Sequence, residues 1–390
     1  MNSKRRLVSI MALALAGAAA LPAQAQETVK IGLILPMTGP FASTGRQIQA
    51  AARLYIAEHG TTVGGKKIEL IVKDDASVAD TTKRLAQELV VNDKVSILAG
   101  FGLTPLALAT APIATQAKIP MIVMAAATAM ITEQSPFIVR SGFTLPQATL
   151  GIGEWAPKNG IKKVVTLVSD YGPGIDAQDS FKKVFTAGGG QVVEEIRVPV
   201  RNPDFAPFLQ RVRDAKPDAV FVFVPSGVGA AFMKQFAERG LDKAGIKLIG
   251  TGDVTDDDLL NDMGNAALGV VTSMHYTAAL DTPANKAYVA AMGKANGGMR
   301  PNFHSVGGYD GMHLIYKALE ATKGNTNGEA LVAAMKGQKW VSPRGPVMLD
   351  PATREMVQNI YITKVERVNG GLYNVPFATI EAVKDPSKIK

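Results

Sequence analysis

Short apolar runs rich in valine and isoleucine alternate with stretches of helical spacing along nearly the whole chain. Val29–Leu35 predicts a strand that ends at Pro36, and Ile48, Ala52 and Tyr55 then recur at helical spacing until Gly60 supplies a stop. Lys67–Val72 predicts the next strand, followed by a helix over Thr81–Val91, a strand over Val95–Ala99, a helix over Pro105–Ala117 and a strand over Met121–Met124. A βαβ series of this kind implies a mostly parallel sheet with helices on both faces. The series then starts again: strands at Lys163–Val168, Gln191–Ile196, Ala219–Val224 and Lys247–Ile249 alternate with helices at Ile175–Ala187, Phe205–Ala215 and Val228–Arg239.

The remainder is less regular. Val270–His275 reads as a strand, and Pro283–Lys294, His304–Thr322 and Gly328–Met335 read as helices. Val357–Arg367 alternates as a strand does, and Gly370-Gly371 fits a hairpin turn before Leu372–Val375. Two βα series without an intervening Pro-, Gly- or Ser-rich linker predict two α/β domains joined by short crossovers.

The first 25 residues follow a different pattern. Lys4-Arg5-Arg6 precedes an uncharged apolar stretch from Leu7 to Leu21, and Ala23-Gln24-Ala25 fits a small-x-small cleavage site. This is the arrangement of a secretory signal peptide, and the apolar run is shorter than the roughly 20 residues of a spanning helix. The expected mature chain is therefore an exported one, acting in the periplasm.

The chain has no cysteine, which excludes disulfides, thiol nucleophiles and cysteine metal sites. Its net charge is +8, of which Lys4, Arg5 and Arg6 supply three, leaving +5 on the mature chain. The basic residues are scattered with few aromatics among them, so no nucleic-acid footprint is expected. There is no Gly-x-Ser-x-Gly elbow, no Walker A loop and no Gly-x-Gly-x-x-Gly after the first strand. His59, His275, His304 and His313 lack metal-ligand spacing and read as surface or packing residues. No catalytic residue, metal or cofactor is expected.

Ligands of open α/β sheets bind at the carboxyl ends of strands. Here those ends are Pro36–Arg46, Gly100–Pro105, Met124–Thr128, Ser169–Gly174, Pro225–Val228 and Gly250–Thr255, all rich in small residues. Small residues let backbone N–H groups and helix N-termini approach an anion. Thr104, just before Pro105, is expected both to cap its helix and to touch a carboxylate. Asp256-Asp257-Asp258 reads as acids at a helix start.

Several segments carry a resemblance. Val29-Lys30-Ile31-Gly32 leads into Pro36-Met37-Thr38-Gly39-Pro40, Lys73-Asp74-Asp75 follows the second strand, and Asp170-Tyr171-Gly172-Pro173-Gly174 and Gly307-Gly308-Tyr309-Asp310 come later. With Ala111-Pro112-Ile113-Ala114, Ile119-Pro120 and Ala125–Thr128, their order resembles periplasmic solute-binding proteins of the branched-chain amino acid type, which feed ABC importers. The resemblance implies two Rossmann-like lobes, the type I periplasmic binding protein fold, closing on a ligand by a hinge of three crossovers. It places these near Phe143–Leu145, Thr272–Tyr276 and Pro346–Pro351. Lobe 1 is then 26–143 plus 276–347, and lobe 2 is 144–275 plus 348–390.

The resemblance also implies a site. A ligand carboxylate is held by Thr104 with its neighbours Phe101, Gly102 and Leu103, and by Ala125, Ala126 and Thr128. Tyr171 closes over the ligand, and Asp253 matches the family's ammonium-binding acid. Where amino-acid binders often carry aromatics, this chain has Thr44, followed by Gly45 and Arg46, and later Pro225 and Ser226. Arg46, Thr104 and Thr128 would also suit an aromatic acid with no amine. The expected protein is a monomer that binds a small carboxylate and docks on an inner-membrane ABC permease. Presentation of the ligand to a sensor or chemoreceptor is the alternative; a secreted α/β enzyme lacks a nucleophile or metal site.

Overall fold

The computed structural model describes residues 27–389, so the signal sequence read over residues 1–25 lies outside the described residues. The first lobe opens with β1 (Thr28–Leu35), α1 (Ala42–His59), β2 (Thr62–Val63), β3 (Lys66–Asp74), α2 (Ala79–Val91), β4 (Ile97–Gly100), α3 (Thr104–Ala117), β5 (Met121–Val123) and β6 (Ile138–Arg140). The second continues with α4 (Leu145–Lys158), β7 (Lys163–Ser169), α5 (Gly172–Ala187), β8 (Gln191–Val198), α6 (Ala206–Ala215), β9 (Ala219–Phe223), α7 (Gly229–Glu238), β10 (Lys247–Thr251) and β11 (Val271–Met274). Then follow α8 (Pro283–Ala295), α9 (Phe303–Ala321), α10 (Gly328–Met335), β12 (Lys339–Ser342), β13 (Gly345–Leu349), β14 (Met356–Val368) and β15 (Gly371–Val383).

The strands form two sheets, one ordered β2-β3-β1-β4-β5-β6 and the other β12-β13-β14-β11-β10-β9-β7-β8, with β15 on β14. From β3 to β6 the first sheet is parallel throughout, and from β11 to β8 so is the second. Central strands such as β4 and β9 are buried along their whole length, which is why they read as unbroken apolar runs. In the first lobe α1, α9 and α10 cover one face through Ile48, Tyr55, Leu314 and Leu331. The other face is covered by α2 and α3 through Leu85, Leu89, Ala107 and Ala111. In the second lobe α6 and α7 bury Leu209, Val212, Phe232 and Phe236 on one face, and α4 and α5 bury Ile152, Phe181 and Phe185 on the other.

The helix α4 was not legible. Its sequence, LPQATLGIGEWAPK, carries Pro146, Gly151, Gly153 and Pro157, which read as breakers. Pro146 sits in the first turn, where no N–H is required of it, and the Gln147 side chain accepts the Thr144 N–H at 3.1 Å where the helix starts. The glycines serve close packing: a Cβ on Gly151 would stand 3.2 Å from Ser273, and one on Gly153 would stand 3.1 Å from Val184. The short strands β2 and β6 and the β12–β13 hairpin were also missed.

The chain passes from the first sheet to the second between Arg140 and Leu145, and from β11 back to α8, which packs on α1. Its last passage is shared between the lobes. The β12–β13 hairpin is hydrogen-bonded to β14 of the second sheet, while Val347 and Leu349 pack into the first lobe's core. Two buried arginines fasten these passages. Arg344 bonds Asp310 through Nε at 2.8 Å, the Gly142 carbonyl at 3.0 Å, Gln358 at 2.6 Å and the Ser141 carbonyl. Arg140 pairs with Glu355 at 2.7 Å and donates to the carbonyls of Ala126 and Thr128, which belong to a loop at the mouth between the lobes.

Candidate functional site

The carboxyl ends of the strands of both lobes face one another, and a narrow cavity lies between them. The first lobe contributes Phe41 and Thr44 at the start of α1, Gly102–Thr104 at the start of α3, and Ala125–Ala127 after β5. The second contributes Tyr171 and Pro173 at the start of α5, Phe223, Pro225 and Ser226 after β9, and Asp253 after β10. Phe143 and Leu145 come from the first crossover and His304 from the start of α9.

Ten of the thirteen residues expected from the sequence therefore meet at one cavity: Thr44, Gly102, Leu103, Thr104, Ala125, Ala126, Tyr171, Pro225, Ser226 and Asp253. Three are placed elsewhere. Arg46 is exposed, because two residues of helix turn it away from the face that carries Thr44. Phe101 has φ +69°, and this left-handed turn sends its ring into the core between α3 and the sheet. Thr128 stands behind the lining, with its hydroxyl 2.7 Å from that of Thr104. That bond also replaces the expected cap: α3 begins on Thr104 itself, with Leu103 in the cap position and no side-chain cap.

The sequence reading missed Phe41, Ala127, Phe143, Leu145, Pro173, Phe223 and His304. Phe223 is the last residue of a buried strand and reads as core. Phe143 and His304 reach the cavity through the crossover and through α9, which only the tertiary fold brings there.

Four aromatic rings, those of Phe41, Phe143, Tyr171 and Phe223, wall the cavity, and no lysine or arginine lines it. The Tyr171 and Phe223 rings lie nearly parallel at 6.1 Å. Burial pushes the Tyr171 hydroxyl well up from its ordinary value, with the Asp253 charge adding to the effect. Burial likewise pushes the Asp253 carboxyl up to about 7, although the Thr251 hydroxyl bonds it at 2.8 Å and pulls the other way.

Beside the cavity the lobes touch through a run of acids. Asp256 accepts two bonds from Asn302 Nδ2, at 2.9 and 3.0 Å, and Asp257 accepts from the Ala278 N–H at 3.1 Å and from Asn374 at 3.0 Å. Asp258 is bonded by the Ser43 hydroxyl. These residues follow a 3-10 turn and bridge the lobes; the expectation that they begin a helix is corrected. Burial raises Asp256 to about 7 and Asp257 to about 6, the latter opposed in part by Arg300. Close approach also uses two glycines. A Cβ on Gly172 would stand 2.6 Å from the Thr128 hydroxyl, and one on Gly227 would stand 2.1 Å from the Pro40 carbonyl oxygen. Among the described residues there is no cluster of metal-ligating side chains and no helix long and apolar enough to cross a membrane.

The model of the periplasmic binding protein family matches residues 28–371. The chain is 45% identical to "Leu/Ile/Val-binding protein homolog 6" of Brucella melitensis over 97% of its length and 98% of that protein. It is 66% identical to a solute-binding protein of an ABC transporter from Rhodopseudomonas palustris BisB5, solved in complex with 3,4-dihydroxybenzoic acid. The two superpose with a TM-score of 0.91 over 93% of this chain and 99% of that one. A second solute-binding protein of an ABC transporter, from R. palustris HaA2 and in complex with p-hydroxybenzoic acid, is 44% identical with a TM-score of 0.90, over 93% of this chain and 99% of that one.

Proposed function

The chain belongs to the periplasmic binding protein family, and on that premise we propose that it captures a hydroxylated benzoate-type acid for an ABC importer. The observation that carries this reading is the cavity itself: four aromatic walls, one buried carboxyl and no cationic side chain. Aromatic walls suit a flat ring, which stacks on Tyr171 and Phe223 as they stack on each other. A phenolic hydroxyl donates to Asp253. The ligand carboxylate accepts from the hydroxyls and N–H groups at the starts of α1, α3 and α5, where helix dipoles favour negative charge.

Capture works by closure. Each lobe supplies half of the contacts, so the ligand stabilises only the arrangement in which both halves meet. The loaded form, a monomer in the periplasm, is what an inner-membrane permease recognises. The relatives solved with 3,4-dihydroxybenzoic and p-hydroxybenzoic acids support the ligand class. The relative named for leucine, isoleucine and valine supports an alternative, in which Asp253 pairs with an ammonium group.

Melting curves on protein unfolded and refolded to strip carried-over solute separate the two. At saturating 4-hydroxybenzoate the melting temperature is expected to rise, since ligand at 1,000 times Kd adds about 4 kcal/mol to the folded state. Leucine, valine and urea are expected to leave it unchanged. A rise with leucine and none with the hydroxybenzoates would overturn the proposal and assign Asp253 to the amine.

A further inference from the structure

The His304 imidazole lines the cavity and has no hydrogen-bond partner in the protein. His304 is buried at the start of α9, where its backbone N–H is held by Asn302 Oδ1 at 3.0 Å. Its ring lies 4.1 Å from that of Phe303, centre to centre. Its Nδ1 is 3.9 Å from Asp256 Oδ2, beyond hydrogen-bonding range. The other three histidines are all engaged. His275 contacts the Phe303 carbonyl at 3.2 Å, His313 the Tyr55 hydroxyl at 3.3 Å, and His59 the Tyr55 carbonyl at 3.0 Å. Burial holds the His304 imidazole down at about 3, so it is neutral. A neutral imidazole carries one donor and one acceptor, and a buried polar group left unpaired is costly.

His304 and Asp253 also approach the same piece of chain. Asp253 lies within the 3-10 turn Gly252–Thr255, and Asp256, which His304 faces across the cleft, is the next residue after it. Building on the benzoate reading above, we infer that His304 is a specificity residue that bonds a second ring hydroxyl, next to the one Asp253 accepts. The site then favours a catechol acid such as 3,4-dihydroxybenzoate. A monohydroxy acid occupies Asp253 and leaves the imidazole unpaired. A vicinal dihydroxy acid satisfies both, because a hydroxyl can donate to the ring nitrogen or accept from its N–H.

Titration calorimetry on the stripped protein tests this with 3,4-dihydroxybenzoate, 4-hydroxybenzoate and leucine as ligands. The wild-type protein is expected to bind the dihydroxy acid about 10-fold more tightly than the monohydroxy acid, the worth of one added hydrogen bond. In His304→Phe that ratio is expected to fall to about one, and in His304→Gln, which keeps a donor and an acceptor, to recover several-fold. A wild-type protein with no preference between the two acids overturns the inference, as does a ratio unchanged in both variants. In those cases 4-hydroxybenzoate still binds and the benzoate reading stands. Binding of leucine with neither acid bound overturns that reading, and this inference with it.

Discussion

Gly172→Val is expected to leave the protein folded while weakening solute binding roughly 5- to 150-fold, the equivalent of the 1–3 kcal/mol that overpacking costs. Gly172 opens α5 in the second lobe, and its backbone has an ordinary helical conformation that valine can adopt. What it meets is in the other lobe. Its missing Cβ would stand 2.6 Å from the Thr128 Oγ1 and 3.2 Å from Cγ2. Rotating Thr128 away does not relieve the contact freely, since its hydroxyl is bonded to Thr104 and the loop behind it is fixed by Arg140 through the Thr128 carbonyl. The added methyl groups therefore act as a wedge between the lobes and oppose only the closed arrangement. Calorimetry gives the affinity, and a thermal melt of the ligand-free variant checks the fold. An affinity within twofold of the wild type would show that the bound form does not bring α5 against Thr128.

Arg344→Met is expected to destabilise the protein by about 3–5 kcal/mol, the usual result of removing one partner of a buried ion pair. Arg344 and Asp310 are both essentially inaccessible to solvent. Without the guanidinium, Asp310 keeps its bonds from Ser342 at 2.7 Å and Trp340 at 2.9 Å but becomes an uncompensated buried charge. The Ser141 carbonyl in the first crossover loses its guanidinium donor at the same time, while the Gly142 carbonyl keeps only the Gln358 amide at 3.2 Å. Adding Asp310→Leu is expected to restore much of the loss, because apolar replacements of whole buried pairs are commonly neutral or stabilising. Urea unfolding measures both variants. A single variant within 1 kcal/mol of wild type would mean that water reaches this cluster, contrary to its burial.

The parallel sheets were legible because their strands are buried on both faces and their helices are amphipathic. The strand ends followed from that, so topology placed the segments that hold Thr44, Thr104, Tyr171 and Asp253 near one another, and the family resemblance singled out Tyr171 and Asp253 within them. Spacing could not fix side-chain direction, and that is where the reading departs from the structure. Arg46 lies two positions past Thr44 and leaves on another face of α1. Phe101 sits beside Gly102 but is turned into the core by a positive φ. Conversely, Phe41, Phe143 and Phe223 carry no polar mark to separate a binding wall from a core, and His304 reads as a packing residue until α9 is seen to deliver it to the cavity. The helix α4 was hidden by glycines and prolines that packing and capping explain.

Solute capture is expected to take up protons at the acids that meet in the cleft. Asp253 and Asp256 have ordinary values of 3.8, and burial raises both to about 7, with Asp257 reaching about 6. Asp253 faces Tyr171 and Thr251. Asp256 faces Asp258, Ser226, Asn302 and the neutral His304, while Asp257 faces Arg300 and Asn374. An acid whose value rises on burial opposes closing while it is ionised in the open cleft. That opposition is full above about pH 7 and is relieved as pH falls toward about 4. Affinity is therefore expected to increase from about pH 8 to about pH 5, with protons drawn from the medium as the lobes meet. Calorimetry in buffers of different ionisation heat counts those protons; equal heats and a flat affinity profile would contradict it. Seen this way, a more acidic medium loads the protein more fully, and reopening the lobes gives the protons back.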